Sequence, residues 1–195
     1  MLLKPRQLEI LEAAGNILNQ EGISGLTIKN IAKRVGFAES ALYRHYTSKE
    51  EIIAGLLEYL HQSMAERLPL IASRVEIEPA IRLRRLLESQ IDYLAHHPYF
   101  LVAIFSDGLL NYSPLIQEKM QQIMSLMCRA LLRIIQDGQK DQVFIEHVSA
   151  DELVHILMGS FRLRMLQWRM DDFGFDLKIS GNQHIESLIS LISKR

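Results

Sequence analysis

The sequence predicts an all-α protein in two parts: a three-helix N-terminal head containing a helix-turn-helix, and a larger C-terminal helical bundle. Three observations carry this reading. Apolar residues recur at helical spacing along nearly the whole chain, and no segment alternates as a strand would. Glycine, proline and capping residues cut that periodicity into helix-sized lengths. Charge is unevenly placed: the 195 residues carry a net charge of −1, yet residues 27–49 hold five basic side chains against one acid. The boundary between the parts is placed after residue 48, giving a head over 1–48 and a body over 49–195.

The first helix is expected over Pro5–Gln20, with Leu8, Leu11, Ala14, Ile17 and Leu18 on one stripe and Gly22 ending it. Thr27 is a good N-cap for a second helix, which buries Ile28, Ile31, Ala32 and Val35 and stops at Gly36. A third, short helix follows over Ala38–Tyr46, its Leu42 facing back towards the first two. Ser48 opens the fourth and Glu51 completes a capping box. Ile52, Leu56, Leu60 and Met64 carry that helix towards Ala72, with Pro69 bending or ending it. Further helices are expected at about 79–96, 99–109, 114–137, 149–171 and 182–194. Their punctuation is Pro98, Pro114, Gly138, the box from Ser149 to Glu152, and Gly174 with Gly181.

Composition excludes several classes. Hydrophobic residues at 48% and charged residues at 23% supply a core, so disorder is not the organising feature. No apolar run approaches the roughly 18 to 20 residues of a membrane helix. The N-terminus does not read as a signal peptide, and a cytoplasmic protein is expected. The single cysteine, Cys128, excludes an intrachain disulfide and a Cys-rich zinc site. The seven histidines include no His-x-x-x-His pair, so neither a metal nor a cofactor is expected. There is no Gly-rich phosphate loop, nucleophile elbow or His-Glu-x-x-His, and an enzyme is not expected.

The segment from Thr27 to Lys49 has the form of two short helices joined by a tight turn at Gly36-Phe37-Ala38. A helix entering a DNA major groove, about 12 Å wide, must be slim on one side and anchored on the other. Val35 and Leu42 supply the anchor, while Ala38, Ser40 and Ala41 keep the helix start small. Tyr43, Arg44, His45 and Lys49 cluster donors where phosphates would lie. Lys29, Lys33 and Arg34 fit either phosphate steering or a solvated helix face. Phe37 reads as a turn anchor and Tyr46 as core under the fourth helix.

Residues 26–52 resemble the DNA-binding domain of the TetR family of bacterial regulators. The resemblance is carried by Leu26-Thr27-Ile28, Ile31-Ala32, Val35-Gly36, the run Ala41 to Tyr46, and Ser48 to Glu51; Ile10 to Ala14 of the first helix also fit. It implies that Thr27, Tyr43, His45 and Lys49 meet phosphates and that Ala38, Glu39 and Ser40 face base edges, with Arg44 able to reach either. Glu39 departs from the family, which commonly has Lys, Gly or Ser there. The implied function is transcriptional regulation without catalysis: a ligand-released repressor binding a palindromic operator as a homodimer. The alternative is a nucleoid or cell-division factor of the same fold that binds scattered DNA sites and a protein partner.

The body offers two weaker readings. Helix 149–171 is apolar nearly all round and must bury two sides. The resemblance implies that it pairs, with the last helix, across a dimer two-fold through Phe161, Trp168, Ile185, Leu188, Ile189 and Ile192; the other reading buries both sides within one chain. Tyr93, Phe100, Phe105 and Tyr112, with Met120, Met124 and Met127, suit either plain core or the lining of an apolar effector cavity. His155, inside an apolar stretch, fits a structural role, with a ligand hydrogen bond as the other reading.

Overall fold

A computed structural model describes residues 4–105 and 113–194. Among them the helices are α1 (Pro5–Gly25), α2 (Ile28–Val35), α3 (Glu39–Leu42), α4 (Lys49–Ala72), α5 (Pro79–His96), α6 (Tyr99–Ile104), α7 (Pro114–Lys140), α8 (Ala150–Met170) and α9 (Leu177–Ile192). The described residues contain no strand beyond an isolated bridge between Phe144 and Ser193, and none of their helices is long and apolar enough to cross a membrane. By packing, the described residues up to Gln62 group with 97–123, and 63–96 group with the rest from Met124.

In the first unit, Ile10, Leu11, Ala14, Ile17 and Leu18 of α1 meet the same core as Leu26, Ile31, Ala32, Leu42, Ile52 and Leu56, all at most 2% exposed. The chain bends at Gly22 (φ 66°, ψ −165°) before the last turn of α1, at the residue the sequence marks as a stop. α4 does not end at Pro69. The ring there removes the bond to the carbonyl of Ala65, and both residues are exposed, so the freed acceptor is open to solvent. Lys119 bridges to Glu58 at 2.6 Å. Burial works to raise the Glu58 pKa, and the bonds from Lys119 and Gln62 overcome it and hold the carboxyl below its ordinary value.

The second unit packs Leu83, Leu86, Leu87 and Ile91 of α5 with Leu131, Ile134 and Ile135 of α7, Leu157 and Met165 of α8, and Ile185 of α9. Gly138 and Gly181, which read as helix ends in the sequence, stand inside helices instead. A Cβ on Gly138 would lie 2.1 Å from the buried Phe144 ring, and one on Gly181 would lie 2.5 Å from Ile91 Cδ1. These residues are notches for close packing, so α7 runs on to Lys140. α9 starts at Leu177, five residues before the expected 182, under the Asp176 cap (Oδ1 accepts from the Ile179 N–H at 2.9 Å). Buried Arg82 donates to Asp137 at 2.7 Å and to the Ala72 carbonyl at 3.0 Å. Arg67 donates to the Ser89 carbonyl and Gln90 Oε1, each at 2.9 Å, and lies 4.6 Å from the centre of the Tyr93 ring. His184 Nε2 meets Ser160 Oγ at 2.8 Å between α9 and α8.

Gly138→Ala is expected to lose about 1–3 kcal/mol through overpacking on Phe144, outweighing the gain of about 1 kcal/mol from helix propensity, and to lower the unfolding midpoint in denaturant titration. Burial, then the nearby Arg164 charge, holds the His184 pKa below its ordinary 6.5. The unfolded state therefore binds the proton more readily, and stability present above about pH 6.5 is lost as the pH falls through the folded-state value. His184→Gln is expected to flatten the part of the fall in melting temperature between pH 7 and 5.5 that this residue causes; an unchanged slope would refute the assignment.

Candidate nucleic-acid interface

The head is built around the α2–α3 turn. Thr27 Oγ1 accepts from the Asn30 N–H at 3.1 Å, capping α2, and Asn30 Nδ2 donates to the Gly25 carbonyl at 2.8 Å, tying that cap to the end of α1. Gly36 closes α2 in the left-handed region (φ 76°, ψ 28°), and both its N–H and that of Phe37 return to the Ala32 carbonyl. The chain is thereby turned into α3, whose N-cap position is Ala38.

α3 is shorter than the expected Ala38–Tyr46. The helix ends at Leu42, and past it the Arg44 N–H closes back to the Ala41 carbonyl at 3.4 Å while the His45 and Tyr46 N–H groups share the Leu42 carbonyl at 2.9 and 3.0 Å. Leu42 and Tyr46 point inward, while Ala38, Glu39, Ser40, Tyr43 and Arg44 are exposed and Ala41 and His45 half-buried. Tyr46 packs over Gly55, where a Cβ would approach its ring to 3.0 Å. Its pKa is pushed up to about 12 by burial and then by the Glu51 charge. The expected box opens α4: Ser48 Oγ accepts from the Glu51 N–H at 3.2 Å, while the Glu51 carboxylate accepts from the Thr47 N–H at 2.6 Å rather than from Ser48.

Of the residues singled out in the sequence, the structure brings Ala38, Glu39, Ser40, Tyr43 and Arg44 onto one exposed run, with Tyr43 49% exposed and His45 at its border. Thr27 is exposed at the N-terminus of α2. Lys49 is half-buried and donates to the Ile23 carbonyl, pinning the bend after Gly22, and burial pushes its pKa down. Arg34 donates to Gln20 Oε1 at 2.8 Å and lies 3.9 Å from Glu21, so it braces α2 on α1. Lys29 and Lys33 are exposed.

One residue escaped sequence reasoning. Arg6, in the first turn of α1, lies with its guanidinium carbon 5.2 Å from the centre of the Phe37 ring. With Phe37, Ala41, Arg44 and His45 it lines a surface hollow of about 210 Å³. Its separation from the turn by thirty residues gave no local signal, and it lies outside the basic stretch of 27–49.

The body residues are placed as follows. Tyr93 is half-buried beside Arg67, Phe105 is half-buried, Met120 and Met127 are buried, and Met124 is 48% exposed, so the three methionines do not share one buried face. His155 is exposed, with Nδ1 2.8 Å from the Asp151 carbonyl. Tyr93, Met124 and His155 belong to one packing unit and Phe105 and Met120 to the other; Tyr112 lies outside the described residues. Phe161, Trp168, Ile185, Leu188, Ile189 and Ile192 are all at most 8% exposed within the single chain. The apolar residues left outward on the same helices are Ile156, Leu163 and Met170 of α8 and Ile179 and Leu191 of α9, 49–77% exposed. Among the described residues no three His, Cys, Asp or Glu side chains gather as metal ligands.

Comparison with known proteins agrees with this geometry. Residues 10–56 match the bacterial regulatory proteins of the tetR family, and residues 79–169 match the tetracyclin repressor-like C-terminal domain. The nucleoid occlusion factor SlmA of Vibrio cholerae serotype O1 is 27% identical over 160 residues, covering 80% of this chain and 81% of its own. The TetR transcription regulator of Haloarcula marismortui superposes with a TM-score of 0.81 at 21% identity, over 97% of this chain and 98% of that one. The regulator FadR of Bacillus subtilis, solved with stearoyl-CoA, gives 0.78 at 19% identity, over 95% and 98%. Two matched segments at the head and in the body, on a helix-turn-helix with one free side, lead to one conclusion: the chain belongs to the TetR family of bacterial regulators and is a DNA-binding regulator.

Proposed function

We propose that this regulator is a cytoplasmic homodimeric repressor that binds a palindromic operator and is released by a small apolar effector. The observation that supports it most is the exposed run of α3, free of packing on one side and anchored through Leu42 on the other. In this reading residues 1–48 engage DNA and 49–195 bind effector and dimerise. Thr27, Tyr43, His45 and Lys49 hold phosphates, Ala38, Glu39 and Ser40 face base edges, and Arg44 serves a phosphate or a guanine edge. Arg6 adds a cation beside Arg44 and His45. Two-fold symmetry places two such helices on half-sites about one DNA turn apart.

The outward residues Ile156, Leu163, Met170, Ile179 and Leu191 support a dimer face on α8 and α9; the seam named from the sequence, Phe161 to Ile192, then backs that face from inside. The stearoyl-CoA of the FadR neighbour supports an effector of apolar class. The effector acts through higher affinity for the state that does not engage DNA, with α4, capped at Ser48–Glu51, as the moving element.

Arg44→Ala and Lys49→Ala are each expected to lower operator affinity and to reduce the slope of log affinity against log salt by about 1. Lys49→Ala also lowers the melting temperature, because Ile23 loses its partner; a lower melting temperature with an unchanged salt slope would confine Lys49 to that structural bond.

The SlmA relative supports a second reading, a nucleoid or cell-division factor. Selection of genomic fragments by the purified protein near physiological salt, followed by sequencing, separates the two. A few palindromes beside promoters are expected for a repressor, and many scattered sites for the second reading. No enrichment, with the protein folded and free of bound ligand, would count against both.

A further inference from the structure

α4 ends at Ala72, the chain turns through 73–78, and α5 begins at Pro79. This turn brings Leu70, Ile71, Arg74, Ile77, Arg82 and Arg85 around a hollow of about 280 Å³. All six belong to one packing unit. Arg82 and Arg85 stand three residues apart on α5, which puts them on neighbouring positions of one helix side. Three of the lining side chains are aliphatic and three carry guanidiniums.

The three guanidiniums differ in how far they are already satisfied. Arg82 is 1% exposed, and its charge is met by Asp137 at 2.7 Å. Its Nη1 also donates to the Ala72 carbonyl at 3.0 Å, but its buried Nε–H has no acceptor among the described residues. Arg74 faces only Glu76 at 3.8 Å, with both side chains 63% exposed, a separation and setting at which a pair contributes little. Arg85 is exposed and makes no ion pair among the described residues. Arg85 therefore stands uncommitted, and Arg74 is engaged only by the long, exposed pair with Glu76, beside Leu70, Ile71 and Ile77; Leu70 is itself 67% exposed at the rim.

We propose that this hollow binds a small amphiphilic carboxylate, its head between Arg74 and Arg85 and its short aliphatic tail on Leu70, Ile71 and Ile77. Guanidinium forks match a carboxylate in two parallel hydrogen bonds, stronger than neutral ones. The aliphatic lining residues give a bare inorganic anion nothing to bury, and the volume is below the range of about 300–1,000 Å³ typical of drug-sized ligands. The site shares no residue with the effector set or the DNA-facing run, so it stands or falls apart from the proposed function.

Calorimetric titration of the full chain with octanoate tests it, with octan-1-ol as the uncharged control. One octanoate per chain is expected, bound at least tenfold more weakly by an Arg74→Ala/Arg85→Ala double variant, with octan-1-ol likewise at least tenfold weaker. Leu70→Asp, at the exposed rim, is expected to repel the carboxylate to a similar extent, and serves where the double variant melts early. Absence of saturable octanoate binding, an affinity left within twofold by these variants, or equal binding of octan-1-ol would overturn the proposal. Octanoate held elsewhere in the body would show itself by indifference to all three substitutions. Operator affinity of the double variant, measured without octanoate, reports on the DNA reading alone.

Discussion

One turn of helix does not hold itself in water, because nucleating it fixes several dihedrals for a single hydrogen bond. α3 is four residues long. Its position is therefore imposed from beneath, by Leu42, which is completely buried. Full burial of a leucine contributes about 1.5–3 kcal/mol, more than the helix propensities of Ser40 and Ala41 together. The rest of the head serves that one contact. Gly36 sets the direction from which α3 leaves α2, Tyr46 fills the space below its end, and the Ser48–Glu51 box starts α4 immediately after. Because all the holding is done from one side, the other side is free to carry chemistry unconstrained by packing.

That free side is not uniformly basic. Arg44, His45 and Arg6 gather around Phe37, whereas Glu39 stands in the first turn of α3 with no ion pair among the described residues. A carboxylate in the first turn is favourable to the helix itself, since it faces the positive end of the dipole. Against phosphates it is unfavourable, and it recovers affinity only by accepting from a cytosine amino group. On the proposed docking, the cations supply attraction indifferent to sequence while Glu39 penalises the wrong base, a division of labour that a wholly basic surface does not provide.

The head was legible in the sequence because its signals are local. A threonine cap, a left-handed glycine and a serine–glutamate box each act within four residues, and the structure places all three where the spacing puts them. The body was less legible because glycine carries two meanings. Gly138 and Gly181 look like stop signals in a one-dimensional reading, and only the Phe144 ring and the Ile91 side chain, brought there by tertiary packing, show that they are notches. Arg6 illustrates the same limit at longer range, since its partner ring stands in the α2–α3 turn, distant in sequence. The shortness of α3 was hidden too, because Tyr43, Arg44 and His45 have ordinary helix propensities and no local signal ends the helix at Leu42.

The apolar character of α8 on nearly all sides raised a question that one chain answers only by half. Leu153, Leu157, Phe161, Met165 and Trp168 go inward, and Trp168 secures its ring by donating to the Phe175 carbonyl at 2.9 Å and by an edge contact with Phe173. Ile156, Leu163 and Met170 are left outside at i, i+7 and i+14, a spacing that keeps them on one stripe, with Ile179 and Leu191 on the neighbouring helix. Covering five such side chains in each of two chains would remove enough apolar surface for roughly 15 kcal/mol or more at the usual area coefficient. Association costs an estimated 4–15 kcal/mol of lost freedom, so the outward stripe is large enough to support a stable pair only if most of it is covered at once. A two-fold arrangement does this, since each stripe then meets its own copy and no second, differently shaped surface has to be found.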